Sequence, residues 1–363
     1  MSEMLINHLP ASTWNWLKVN DVNVKLPDDM GAYDAEFVSD EVTAIKSAET
    51  LLHKEAEFGA LRSGMGDAFS AYIKNAASNK SYLVIDKKLD KPVYYSVDLS
   101  ACVNGAAGAR IELAEGASAT VVMTYEGKND SANRTAGIDT RIFVGKNASL
   151  KLVQLFLSGT ETVLYNDVAA EVADKGSFDI VHIILSGRKN YSGCSVRLLG
   201  DKAKTRMDIA YVAGEGNTID CNYIAEHFGK KTNSEIMVSG VMEAHSEKVF
   251  RGTIDFKRGS AESVGEEKED VLLLDEDVVN KTVPLILCQE EDVEGSHGAT
   301  IGKLSDDILF YLGARGIEEA LANKLIANGR IASVARKIGD PDTEKKLLAL
   351  VGVLDDEDAE ADQ

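Results

Sequence analysis

The residues best suited to chemistry stand together in EEDVEGSHGAT (290–300), where His297 lies between Gly295, Ser296, Gly298 and Ala299. Such small neighbours let a ligand or a second chain approach the imidazole closely. A neutral imidazole is a ready metal ligand, and Glu290, Glu291, Asp292 and Glu294 could add oxygen ligands or hold its second ring nitrogen. On residue type alone, a single histidine in a tight turn is more often structural. The thiols give less. Cys102, Cys194, Cys221 and Cys288 are far apart with no CxxC pair, against a zinc knuckle or a disulfide scaffold and in favour of free, mostly buried thiols.

Other chemistries lack their templates. There is no GxxxxGK[ST] phosphate loop, no GxGxxG after a strand, no HExxH and no GxSxG, which argues against a nucleotide, dinucleotide or acyl-transfer enzyme. Asp179, Asp208, Asp220, Glu226 and Asp255 could form the acidic face of a polysaccharide-active enzyme. A chain with 6% aromatic residues has few sugar platforms, and acids on a repeated coil usually form a solvated face.

Composition narrows the partners. A formal charge of −20 with 44% hydrophobic residues describes an acidic globular protein, for which nucleic acid and anionic membranes are poor partners. Ser2 and Glu3 replace a basic n-region, and the first apolar run ends at Pro10. No stretch approaches the roughly 18 to 20 apolar residues of a membrane span, so the expected location is cytoplasmic.

The elements that must position His297 follow from period. Residues 1–38 read as an extended arm anchored by Trp14 and Trp16. A helix is expected from Asp40 through Val42, Ile45, Leu52 and Ala56 to a stop at Gly59, and another from Ser63 through Phe69 and Ile73 to Ala76. At Tyr82 the pattern turns to strand. Ile111, Leu113, Ala117, Ala119, Val121, Met123 and Tyr125 share one face. Turn-like units at 114–118, 145–149, 174–178, 200–204 and 229–232 recur roughly every 26 to 31 residues, a spacing of stacked repeats. A β-solenoid follows, with a β-sandwich as the competing fold. Cys194 and Cys221, nearly one repeat apart, would occupy equivalent positions on neighbouring coils. His182 reads as a half-buried strand residue, His245 as a turn residue, and 259–270 as a solvated charged loop. After Pro284 comes a last strand, LILC. Helical period returns at Leu304, with Ser305 as cap, Asp306 and Asp307 in the first turn and Gly313 or Gly316 as stop. Leu321, Leu325, Ile331, Val334 and Ile338 form the stripe of the next helix. A final short helix precedes an acidic tail that is expected to be disordered.

EEDVEGSHGATIGKL followed by LFYLGARGIEEA resembles the C-terminal signature of the SufB/SufD family of iron-sulfur cluster assembly proteins, and SufD more than SufB. The matching residues are Ser296, His297, Gly298, Ala299 and Thr300, then Leu309, Phe310, Tyr311, Leu312, Arg315, Gly316 and Ile317. FRGTIDF (250–256), the VLLL run and LPASTWNWLKVN add weaker likeness. The resemblance implies a mainly β protein, a right-handed parallel β-helix (81–303) between an N-terminal arm and helical cap (1–80) and a C-terminal helical segment (304–352), with a disordered tail (353–363). It also implies a non-catalytic scaffold subunit. Its partners would be a SufB-like protein, or a second copy as a homodimer, and a SufC-like ABC ATPase docking near Leu309, Phe310, Tyr311, Arg315, Gly316 and Ile317, with ATP hydrolysed by that partner. An iron-sulfur cluster would be held transiently in the assembled complex, with His297 as an assembly residue at the dimer interface; no motif speaks to a flavin. Many SufD proteins carry cysteine two residues before this histidine, where this chain has Gly295. The principal thiol chemistry is therefore expected in the partner.

Overall fold

The computed structural model describes residues 1–42, 54–77, 80–128 and 132–353. From Lys80 onward the chain alternates between two nine-stranded sheets, and each long strand hydrogen-bonds to the strands two before and two after it. Along the solenoid these pairs are parallel, as between Ser149–Leu157 and Ser177–Ile184 or Thr218–His227 and Glu247–Phe256. A sandwich of hairpins would show antiparallel neighbours, so the competing fold is excluded. One sheet ends in strand Val293–Gly302 and is called the first; the other, the second, ends in Val279–Cys288.

Strand alternation explains the core. The seven residues from Ile111 to Tyr125 named above are all buried in one cluster between the sheets. Each recurring turn unit puts one residue in the left-handed region: Gly116, Asn147, Lys175, Lys202 and Lys231, with φ of 75, 55, 55, 61 and 58°. For the three lysines that conformation is costly. The backbone N–H it frees donates to a carbonyl of the next corner, Lys175 to Asp201 at 2.9 Å and Lys202 to Lys230 at 2.8 Å, so the corners stack as the strands do.

Neither outer face is bare. Ile6, Leu26, Met65, Phe69 and Ile73 cover Ala106, Tyr165 and Tyr191 on the second sheet. Across the molecule, Ile331, Val334, Ile338 and Leu347 cover Val122, Val153, Val181 and Ala210 on the first. Among the described residues no helix is long and apolar enough to cross a membrane.

Several expectations change. The arm is a hairpin of Ser2–Ile6 and Val22–Leu26, and Trp14 and Trp16 anchor nothing: each is 72% exposed, on a loop between those strands. The helix from Asp40 lies largely outside the described residues, while the next runs Asp67–Ala76. Cys194 aligns with Tyr223 and Cys221 with Ser192, so the thiols are two residues out of register. Corners differ in length, and near-equal sequence spacing does not fix register. Burial pushes both thiols upward, which leaves them inert. Leu321 and Leu325 are about half exposed, because helix Glu319–Ala335 turns its alanines and Ile331 to the sheet. The five acids proposed as one face stand on opposite sides of the solenoid, and Asp208, Asp220, Glu226 and Asp255 are ion-paired.

His182 is fully buried and hydrogen-bonds the Tyr223 hydroxyl, while His227 is held by Thr232 and Ser234 at 2.7 and 2.8 Å. Burial lowers the two imidazoles to about 3 and about 4. Both are neutral in the fold, whereas an unfolded histidine protonates near 6.5. Their contribution is intact above that pH and is lost as pH falls towards the folded values, at about 1.4 kcal/mol per pH unit per histidine. Between pH 6.5 and 5, His182→Gln should therefore lose about 2 kcal/mol less stability than the parent in urea denaturation; parallel loss would contradict a neutral buried His182.

Candidate functional site

Among the described residues, nothing covers the C-terminal end of the solenoid. Strands Val279–Cys288 and Val293–Gly302 form its last coil, and the inward-facing residues of that coil line an open mouth. Register identifies them: Gly295, His297, Ala299 and Ile301 align with Gly265, Glu267, Glu269 and Val271 of the buried coil before. His297 is thus mid-strand and not in a turn, with a side chain 27% exposed. The acidic lead-in does not surround it. Glu290 accepts the backbone amides of Gly259 and Glu291 at 2.9 and 3.0 Å, and Glu294 aligns with the outward Val264.

The charged run before it is no loop. Residues Ser263–Leu273 form a strand because their charges obey a period of two. Glu266, Lys268 and Asp270 face outward, where Lys268 pairs with Glu266 and Asp270 with Arg330, each at 2.6 Å. Glu267 and Glu269 face inward and are buried. Lys248 reaches Glu269 and also donates to Thr282 at 2.9 Å, and Thr282 donates to the second Glu269 oxygen at 2.6 Å. Glu269 is thereby satisfied. Glu267 is not: it is 0% exposed and neither carboxylate oxygen has a hydrogen-bond partner. Its carboxylate occupies the space a side chain at Gly252 would fill. Burial, and then the neighbouring Glu269, push its carboxyl up to about 8. The His297 Nδ1 lies 3.7 Å from Glu267 Oε1. Neither Glu267 nor Lys248 was singled out from sequence; the alternation in VGEEKEDV, one repeat before GSHGATI, was the available signal.

Gly295 and Cys288 also lie on this last coil. A side-chain carbon at 295 would lie 2.9 Å from Ile286 and 3.3 Å from Phe256, so a thiol there would require Ile286 to move. Cys288 is exposed at the end of its strand, where the adjoining strand begins at Val293. Four residues of strand, about 13 Å, separate Val293 from His297. Cys288 thus closes one strand of the last coil, and His297 lies in the middle of the other. Among the described residues no group of three or more His, Cys, Asp or Glu is placed to hold a metal ion.

Beyond the mouth Ser305 accepts from the Ile308 amide at 3.4 Å and starts helix Asp306–Gly313, which buries none of its residues. Phe310 is 80% and Tyr311 55% exposed; Leu309 and Ile317 are half-buried. The Arg315 guanidinium sits 4.4 Å over the Tyr311 ring, and Gly316 turns the chain at φ 82°. A short helix with an exposed aromatic end therefore stands beside an open coil end.

The model of the SUF system FeS cluster assembly SufBD core domain matches residues 105–330. This chain belongs to the SufBD family. Within that family its similarity is to SufD: it is 26% identical over 244 residues to the iron-sulfur cluster assembly protein SufD of Escherichia coli (67% of this chain, 57% of the relative). It is 26% identical over 238 residues to SufD of Bacillus subtilis (64% and 54%), and 25% over 310 residues to an iron-sulfur cluster assembly SufBD family protein of Staphylococcus aureus (82% and 64%). The chain spans a little over half the length of the two SufD proteins. The SufBD core match includes the last two strands, the mouth and helix Asp306–Gly313.

Proposed function

We propose that this SufBD-family chain is a SufD-like, non-catalytic subunit of an iron-sulfur cluster assembly scaffold. It pairs through its open coil end with a SufB-like protein and docks a SufC-like ABC ATPase on the segment around Leu309, Phe310, Tyr311, Arg315, Gly316 and Ile317. ATP is hydrolysed by that partner. The observation that carries this reading is the uncovered last coil with His297 in its mouth: an unfinished β-edge invites another strand, and the imidazole then lies at the junction. The nascent cluster is cargo. Thiolates are the better soft ligands for iron, and with glycine at 295 and inert lumen thiols the sulfur chemistry falls mainly to the partner.

Co-expression with an ABC-type ATPase and a SufB-like chain should yield one complex containing all three. Elution of this chain alone would overturn the proposal. Cys288 at the mouth supports one alternative, a SufB-like homodimer using its own thiol. Anaerobic reconstitution of the isolated chain separates the two: a stable visible-absorbing cluster favours the homodimer, and a colourless protein favours the SufD-like subunit.

A further inference from the structure

The chain's only two tryptophans, Trp14 and Trp16, stand in one loop, each 72% exposed, with ring centroids 6.4 Å apart. Leu17 beside them is 40% exposed. Large rings kept in water are costly, and a slack loop would be free to bury them. This loop is braced instead. The Asn20 side chain accepts from the Thr13 amide and hydroxyl at 2.7 and 2.9 Å and donates to the Thr13 carbonyl and the Asn15 side chain at 3.1 and 2.8 Å. Lys18, in the left-handed region at φ 51°, closes the turn by donating its amide to the Asn15 carbonyl at 3.1 Å. Two rings on such a support have lost their freedom before a partner arrives, so binding them costs little further entropy.

The anchors of the loop show where it stands. Asn7 donates to Asp220, and Asn222 donates to the His8 carbonyl, both from strand Thr218–His227. After the turn, the Val19 carbonyl accepts from Arg251 on Glu247–Phe256, the next strand of the second sheet. The loop thus advances toward the open end, and only Val279–Cys288 lies beyond it in that sheet, one strand spacing or about 4.8 Å further on. The outward residues of this last strand are Val283, Leu285 and Leu287, aligned with Arg251, Thr253 and Asp255, and all three are half-buried. Apolar side chains therefore continue from the mouth round its rim on the side of the tryptophan loop.

We propose that the tryptophan loop is a second contact for the chain that pairs across the open coil end, its two rings meeting the outer flank of that partner's last coil. The surface defines the partner's chemistry: an end-on solenoid with an apolar strip on the outward side of its terminal strand, as this chain has at Val283, Leu285 and Leu287. Joining at the open edge uses backbone groups that any extended segment can satisfy. Two rings set beside the edge admit only a partner with a matching flank, which gives the junction its selectivity. A second copy of this chain is the poorer occupant, because two chains of formal charge −20 repel each other. The inference rests on the pairing with a SufB-like chain proposed above and names the surface that selects it.

The test uses the loop as its own reporter. Fluorotryptophan incorporated into the full chain gives two fluorine NMR resonances, both from this loop. An unlabelled SufB-like chain should shift both, the ATPase alone should leave both in place, and dilution of the free chain should not move them. Trp14→Ser and Trp16→Ser should each weaken pairing at least about ten-fold in calorimetry, with Trp16→Phe intermediate. Their thermal midpoints and co-purification of the ATPase should stay at the parent's level, since both rings are exposed. A complex that forms with both resonances unmoved, or serine variants that pair as the parent does, overturns the inference and leaves the subunit reading standing. Resonances that move as the free chain is concentrated make a second copy the occupant and overturn it as well. No complex with the parent chain overturns the pairing reading and this inference with it.

Discussion

Phe310→Asp should abolish co-purification of the ABC-type ATPase while leaving this chain folded. Phe310 is 80% exposed on a helix with no buried residue, so its removal costs the fold almost nothing. A large aromatic kept in water on a short helix that buries none of its residues has the character of an interface anchor, and such anchors cost about 2 to 4 kcal/mol when truncated. An added carboxylate must also be desolvated against the partner. Together these predict a loss of affinity of about 100-fold or more. Tyr311→Asp should weaken binding less, because Arg315 already covers one face of that ring. Undiminished capture of the ATPase by Phe310→Asp would move the docking surface elsewhere.

Arg251→Met carries the largest expected effect on stability. The guanidinium is fully buried and grips Asp220 through two nitrogens, at 2.7 and 3.2 Å, while its Nε donates to the Val19 carbonyl at 2.5 Å. Asn7 donates to the same Asp220 carboxylate at 2.6 Å. One side chain thus ties the N-terminal hairpin to the second sheet. Methionine fills much of the volume but strands Asp220 with only Asn7, and breaking one partner of a buried pair costs about 3 to 5 kcal/mol. Urea denaturation should show that loss, hydrogen exchange should show it first in residues 2–26, and adding Asp220→Asn should recover part of it. A change below about 1 kcal/mol would mean that the network contributes little to stability.

What could be read from sequence follows the same physics. The solenoid was legible because every inward position of a strand must be filled, so the apolar residues from Ile111 to Tyr125 repeat with period two and the corners return at a near-constant interval. Ser305 as helix cap was legible because capping is local. Pairings across the chain were not. Arg251 finds Asp220, Asn7 and Val19, and Asp167 finds Arg141 and Ser63, through contacts that no local pattern encodes. Charge also misled. In 259–270 the acidic residues look like a solvated loop, yet Glu267 and Glu269 point inward because Lys248, on another strand, offsets one of them. Histidine at 297 was found from its small neighbours and the family motif, but its true companion is the carboxylate one coil behind, not the acids beside it in sequence. Trp14 and Trp16 erred the other way: large aromatics suggest burial, and here the loop that carries them leaves both in water.

The open coil end is the proposed place of assembly, and cluster loading of the reconstituted complex tests that role most directly. The complex of this chain, a SufB-like chain and the ATPase should be prepared anaerobically with parent and His297→Ala subunits, and iron and acid-labile sulfide measured per complex. The expected result is unchanged subunit composition with cluster content reduced several-fold in His297→Ala. Equal loading in the two complexes would contradict it and reduce His297 to a structural residue of the last strand.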